Sequence, residues 1–168
     1  FMVPVFAGIG NYVIPLMIGA DDMAFPRLNA VSFWMLPVAG FILLSAWAYG
    51  SFNTGWTAYP TLQDQSPFGQ TLFQIGAIIA GSSSIATAVN FLVTIVTMRA
   101  PGMTLFRMPL LCWANLATSA LVVAATPFVA GALFMAMFDR EMGTHFFTTE
   151  GNGTALAYQH IFWFYSHP

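Results

Sequence analysis

Charge is what this sequence has least of. Only 6% of its 168 residues are Asp, Glu, Lys or Arg, against about 25% in an ordinary soluble domain. Four cationic and six anionic side chains cannot clothe a chain of this length in solvated groups, which excludes a water-soluble globular domain. A net charge of −2 also excludes the basic footprint that a phosphate backbone demands, so nucleic acid is not an expected partner. Cysteine is nearly absent. The single Cys112 permits neither an internal disulfide nor a CxxC metal site, and in its apolar run it reads as small core filler. The opening run FMVPVFAGIG has no charged leader and no small-residue cleavage site, so it does not read as a signal peptide. It starts at full hydrophobicity and the other end stops in an aromatic run. The expectation is a single transmembrane domain over residues 1–168, truncated at both ends inside helices. No internal repeat is visible.

Apolar residues fill the space that charge leaves. They make up 58% of the chain, with a mean hydropathy of +0.73. A spanning helix needs about 20 mostly apolar residues. Residues 1–18 read as the tail of one span, and 31–50, 70–98 and 109–138 as three complete ones. Residues 155–168 read as the start of a fifth. The expected fold is an all-α, polytopic transmembrane helix bundle, in which Pro37 and Pro127 are tolerable because neighbouring helices can satisfy the freed carbonyls. Arg27, Arg99 and Arg107 fall in loops on one side of this bundle. The opposite loops, 51–69 and 139–154, hold only Arg140 and most of the acids, so the three-arginine side is expected to be cytoplasmic. Asn152-Gly153-Thr154 spells a glycosylation acceptor, a three-residue match that carries little weight.

Polar side chains at membrane depth are costly and raise a functional question. Ser83, Thr87, Asn90 and Thr94 follow i, i+4, i+7, i+11 spacing and share one helical face, with Ser84 beside it. Such a face either bonds to neighbouring helices or walls a hydrated proton path. The stretch GNYVIPLMIGADDMAFPRLNA embeds Asn11 in a helix and places Asp21 and Asp22 at its cytoplasmic end. Asn29 and Ser32 open the next helix. An acid at a membrane face with amides leading inward can collect protons and pass them along water. The alternative is that Asp22 or Asn29 caps a helix.

Three histidines remain. His145 lies in the outer loop GTHFFTT and reads as a solvated or locally bonded side chain. His160 and His167 are seven apart, on one face of the last helix, among Phe162, Trp163 and Phe164. Imidazole is the usual ligand for copper, haem iron and zinc. Pro168 would remove the helix hydrogen bond to Phe164 and loosen the backbone beside His167.

The segments GNYVIPLMIGADDMAFPRLNA, TGWTAYP, NFLVTI and YQHIFWFYSHP occur in order and with suitable spacing. Together they make the chain resemble subunit I of the haem–copper terminal oxidases over essentially its whole length. The resemblance implies a fragment of a twelve-helix subunit, about helices 2 to 6. It implies a low-spin haem, and a high-spin haem facing a copper ion called CuB, a-type haems being the expectation. His167 matches the first CuB ligand and Trp163 the tryptophan packed near that copper. Trp56 and Tyr59 match residues close to the haem propionates on the outer side. Asp22 matches the proton-uptake acid of the D-channel, and Asn11, Asn29, Ser32, Ser84 and Asn90 match its water-ordering residues. The remaining haem and copper ligands are expected outside this stretch.

One feature departs from the commonest family pattern, Gly-His-Pro-Glu-Val. Here Tyr165 and Ser166 precede His167, similar to the subclass in which a Tyr-Ser pair replaces the channel's glutamate. The residue after Pro168 is then not expected to be Glu. The function so implied is oxygen reduction to water with electrons from cytochrome c and coupled proton pumping. It takes place in a complex with subunits II and III, in a bacterial plasma membrane ahead of a mitochondrial inner one. The competing readings are a quinol oxidase of the same family, a secondary transporter, which would also place Asp, Asn and His at membrane depth, and a purely structural membrane subunit.

Overall fold

The computed structural model describes residues 7–167, every one of them in helix, turn or irregular loop. Ala7–Ile18 is a short apolar helix, of which Gly10–Ile18 (α1) is regular. It ends at Gly19, whose φ of 74° is left-handed, a conformation glycine adopts without strain. A Cβ there would also lie 2.9 Å from that of Ala100, where the Ala100 amide donates to the Ile18 carbonyl (2.8 Å). Helix α2 (Pro26–Ser45) runs on into a 3-10 turn, Ala46–Tyr49. A one-turn helix α3 (Pro60–Gln63) precedes α4 (Gly69–Thr97) and α5 (Leu110–Met142). Helix α6 (Ala155–Ser166) closes the described chain.

Three helical stretches are long and apolar enough to cross a membrane: Pro26–Tyr49, Gly69–Thr97 and Leu110–Met142. The all-helical, multi-span expectation therefore holds, with two revised boundaries. Helix α2 begins five residues before the expected start, because Pro26 suits a first helical position and its N-terminal turn is anchored from α4. Helix α5 continues four residues past Phe138 and takes in Asp139-Arg140-Glu141. At 33 residues it is about 50 Å long, more than a hydrocarbon core of about 30 Å requires. Its charged end is stabilised by protein partners. Arg140 donates to the carbonyls of Gln63 (2.7 Å) and Pro67 (2.8 Å). The buried Asp139 carboxylate accepts from Thr144 Oγ1 and from the Phe146 and Phe147 amides at 2.7–2.8 Å.

The chain forms two compact units. The first comprises the residues up to Phe33 together with Ser83–Ala124. Its core is Ile14, Ile18, Met23, Phe91, Ile95, Met108 and Cys112. The second comprises Trp34–Ser82 and the residues from Ala125 onward. Its core gathers Ile78, Val129, Leu133, Phe147, Tyr158 and Phe162 around the small residues Ala58, Ala132 and Ala136. Within the second unit, small residues let helices approach closely, as in membrane bundles. A Cβ on Gly76 would stand 2.7 Å from Leu43 Cγ. Large apolar side chains such as Phe41, Trp47 and Leu110 point outward, which suits a chain not surrounded by water.

A closer approach is at Gly69, where a Cβ would lie 2.3 Å from the Ser51 carbonyl oxygen and 2.6 Å from that of Ala46. Both are backbone atoms and cannot rotate away. Gly69→Ala is expected to destabilise the complete protein by about 1–3 kcal/mol, the usual cost of overpacking. Gly131→Ala, where nothing lies within 4 Å, should leave it unchanged or slightly more stable. Thermal unfolding of the two variants in detergent checks the contrast.

Candidate functional site

In the second unit, α6 is laid against the loop between α2 and α3. The turn that leads into α6 is tight: a Cβ on Gly153 would meet the His145 carbonyl oxygen at 2.3 Å. From α6, the buried Tyr158 donates its phenol hydrogen to the Thr57 carbonyl (2.8 Å). Five residues later, Trp163 donates its indole N–H to the Tyr59 hydroxyl (3.0 Å). Trp56 packs its ring on Phe162 (5.3 Å) and edge-on to Trp163 (6.2 Å). Gly55 and Ala58, on either side of Trp56-Thr57, have φ of 65° and 50°. For Ala58, wholly buried, this is strained backbone held by its surroundings. The structure thus brings Trp56, Tyr59 and Trp163 into one aromatic cluster.

The end of α6 is less enclosed. Tyr165 packs on the core of the unit. Ser166 has a buried hydroxyl with no hydrogen-bond partner. His167 keeps helical dihedrals and donates its amide to the Trp163 carbonyl (3.0 Å), while its side chain is exposed. Its imidazole is therefore held at a defined place on the backbone but is free to take a ligand. The expectation about Pro168 concerns a position outside the described residues. His160 is exposed. His145 is locally bonded, Nδ1 to Thr148 Oγ1 at 2.9 Å. Among the described residues no three of His, Cys, Asp and Glu converge as a metal site. An imidazole can serve as one ligand of a metal ion, and the described residues bring no further ligands to it.

In the first unit, the polar face of α4 makes direct bonds. Asn90 is fully buried, and its carboxamide grips the Phe25 backbone at both ends. Oδ1 accepts the Phe25 N–H (3.0 Å), and Nδ2 donates to the Phe25 carbonyl (3.3 Å). Thr94 Oγ1 accepts the Ala24 N–H (2.9 Å) and donates to the Asn90 carbonyl (2.7 Å). Ser83 Oγ donates to the Ser32 carbonyl (2.6 Å), and Ser32 Oγ to that of Asn29 (2.8 Å). Ser84 is half-buried beside this face. Asp22 lies exposed in the loop after α1 and accepts the Met23 amide (2.7 Å), so it does not cap α2. Asn29 sits inside α2 and is no cap either. Asn11 donates to the Ala7 carbonyl (2.6 Å) and has a buried Oδ1 without a partner.

Two groups of anchoring residues escaped the sequence reading. One is Tyr158, whose only signal was its place ahead of His160 on an aromatic helix face. The other is the Asp139–Arg140 pair, read as outer-loop charge although adjacent opposite charges at the end of an apolar run are a signal of a buried clip.

Three helices long and apolar enough to cross a membrane, with polar side chains buried and hydrogen-bonded inside each unit, define a multi-pass membrane protein. A sequence model of the family described as Cytochrome C and Quinol oxidase polypeptide I matches residues 1–168, and the chain belongs to that family. It is 49% identical over 169 residues to the cytochrome c oxidase subunit 1 of Synechocystis sp., an alignment covering 100% of this chain and 31% of that protein. It is 48% identical over 162 residues to the protein of the same name from Thermostichus vulcanus, covering 96% of this chain and 29% of the other. The chain thus spans about three-tenths of the length of the curated relatives it matches.

The Asn90 clamp has a direct consequence. Asn90→Leu leaves the Phe25 N–H without its partner, while the Phe25 carbonyl keeps the Asn29 amide (3.0 Å), a loss of about 1–3 kcal/mol for an orphaned polar group. Thr97→Val, which removes an exposed bond to Val93, should cost little. Measuring the temperature at which the complete protein unfolds separates the two. Equal melting temperatures would mean that the clamp does not hold α2.

Proposed function

We propose that the complete protein is the catalytic subunit of a respiratory terminal oxidase in a bacterial membrane. It reduces O2 to water with electrons from cytochrome c and couples this to proton pumping. The observation that carries the reading is the family match from end to end, joined to an α6 that presents His167 one turn after a locked Trp163. Both relatives are named cytochrome c oxidase subunit 1, which favours cytochrome c over quinol as donor. A copper-binding partner subunit would distinguish the two donors. A secondary transporter would need neither the locked tryptophan nor haem. The stretch is read as one transmembrane domain, with its three-arginine side facing the cytoplasm, acting with subunits II and III.

The cofactors proposed are a low-spin and a high-spin haem, a-type, and CuB, with His167 as one copper ligand. The bound metals supply the binding and reduction of oxygen. This chain's own contributions are positional and protonic. Trp163 is fixed by its bond to Tyr59 and by the ring of Trp56, one helical turn before His167. Trp56 and Tyr59 would hold the haem propionates on the outer side. Asp22 is exposed and exchanges protons with the cytoplasm. Asn11, Asn29, Ser32, Ser84 and Asn90 order the water that carries them. Tyr165 and Ser166 make the last transfer in place of the family's glutamate. A hydroxyl donates one hydrogen bond while it accepts others, so each can relay a proton without ionising, and the unpartnered Ser166 hydroxyl has its full capacity available.

His167→Ala in the complete protein should deplete copper and abolish turnover while the low-spin haem spectrum persists. The drop in copper affinity should exceed the roughly 10–100-fold that loss of a ligand's hydrogen-bond partner causes. Retained copper and turnover would refute the ligand assignment.

Proton delivery is tested separately. Asp22→Asn and Tyr165→Phe each remove a protonic group with almost no change of shape. Proton uptake in each should slow by at least tenfold, about 1.4 kcal/mol of barrier, with normal haem content. Wild-type uptake in the Asn variant would remove Asp22 from the path, and in the Phe variant would return Tyr165 to packing.

A further inference from the structure

The second unit buries a group of neutral polar side chains that the oxidase reading does not use. Gln63, Gln70 and Gln74 are all 0% exposed, and Thr54 is 6% exposed. They form two short strings. In one, the Thr54 hydroxyl stands 2.8 Å from Gln70 Oε1 and 3.0 Å from the Gly55 carbonyl oxygen. In the other, Gln74 Nε2 donates to Gln63 Oε1 (2.7 Å), and Gln63 Nε2 donates to the Ala136 carbonyl (3.2 Å). Each string stops at an unfilled amide atom: Gln70 Nε2 and Gln74 Oε1 are buried and have no hydrogen-bond partner. Native proteins rarely leave such atoms unpaired.

The two side chains that carry the loose ends are neighbours. Gln70 and Gln74 are four residues apart on α4, so their side chains share one face a single turn apart. One end is a donor and the other an acceptor. The Thr54 hydroxyl has one proton for its two acceptors. Turning the Gln70 amide over would let it donate to that hydroxyl, and would leave its oxygen as the loose end instead. A ligand here must therefore be able to donate to one amide and to accept from or donate to the other. It must also be neutral, since none of the four side chains is charged.

We propose that Gln70 and Gln74 hold a sequestered water molecule between them. Water satisfies either orientation of the Gln70 amide, and buried waters characteristically bridge otherwise unpaired polar groups. It joins the two strings into one hydrogen-bonded line from Thr54, just before the Trp56–Tyr59 loop, to the Ala136 carbonyl on α5. The water is then a structural part that fastens the aromatic loop to α3, α4 and α5.

A high-resolution map of the complete oxidase tests this directly. One ordered water is expected within hydrogen-bonding distance of both amides, about 2.7–3.2 Å. A direct Gln70–Gln74 bond, or a side chain from elsewhere in the complete protein at that place, overturns the proposal. Gln70→Met provides a second measurement that does not depend on turnover. Thr54 keeps its bond to Gly55, so the loss falls on the bridge. The variant should lose the water and melt a few degrees lower. An unchanged or raised melting temperature would show that Gln70 holds nothing, because removing an unpaired buried amide relieves a cost.

Discussion

The backbone of Phe25 has one N–H and one carbonyl, and the Asn90 carboxamide bonds to both, sharing the carbonyl with the Asn29 amide. The rest of the first unit depends on that exchange. A bilayer offers no water to satisfy polar groups, so an irregular segment at membrane depth is tolerated only where protein satisfies it. The connection from α1 to α2 is irregular and joins two apolar helices, so its backbone groups need protein partners too. Asn90 and Thr94 complete the backbone of residues 24–25, and Pro26 can then open a helix immediately. Because α2 starts there, Ser32 meets Ser83, and the polar face of α4 becomes a row of fasteners.

The second unit solves the same problem at the charged end of α5. Asp139 collects two amides and a hydroxyl from the following loop, and Arg140 collects two carbonyls from the segment around α3. Each charge closes a loop that would otherwise leave backbone groups unpaired. With those loops closed, Tyr158 and Trp163 can reach Thr57 and Tyr59. The strained Ala58 is then a consequence of fixing the loop at several points, with its methyl wholly enclosed.

Much of this was legible in the sequence, and the limits have physical causes. Hydropathy located the three complete spans because a run of about 20 apolar residues has few other uses. Their ends were harder to read, because a helix stops where its partners stop, and the partners of Pro26 and of Asp139–Glu141 lie far away in sequence. The i, i+4, i+7, i+11 spacing identified the polar face of α4 but could not say what it touches. Trp163 and Tyr59 were singled out by resemblance alone. Their hydrogen bond joins residues 104 apart, a separation at which no local pattern has purchase.

The polar face of α4 was open to two readings, interhelical bonding and a hydrated proton path, and the bonds of Asn90 bear on both. A carboxamide can make four hydrogen bonds, two as donor and two as acceptor. Asn90 spends one of each on Phe25, and one of each remains. Ser83 spends its proton on Ser32 and keeps its lone pairs. Thr94 spends its proton on Asn90 and accepts from Ala24. Bonding between segments therefore fixes these side chains in place without exhausting them. A water-ordering group needs both properties: a rigid position, so that a water chain has one register, and spare hydrogen-bonding capacity. Asn90 is held by its two bonds to Phe25 and keeps one donor and one acceptor. Thr94, with its proton committed and an acceptor site occupied, has less of the second, and belongs to the scaffold more than to any path beside it.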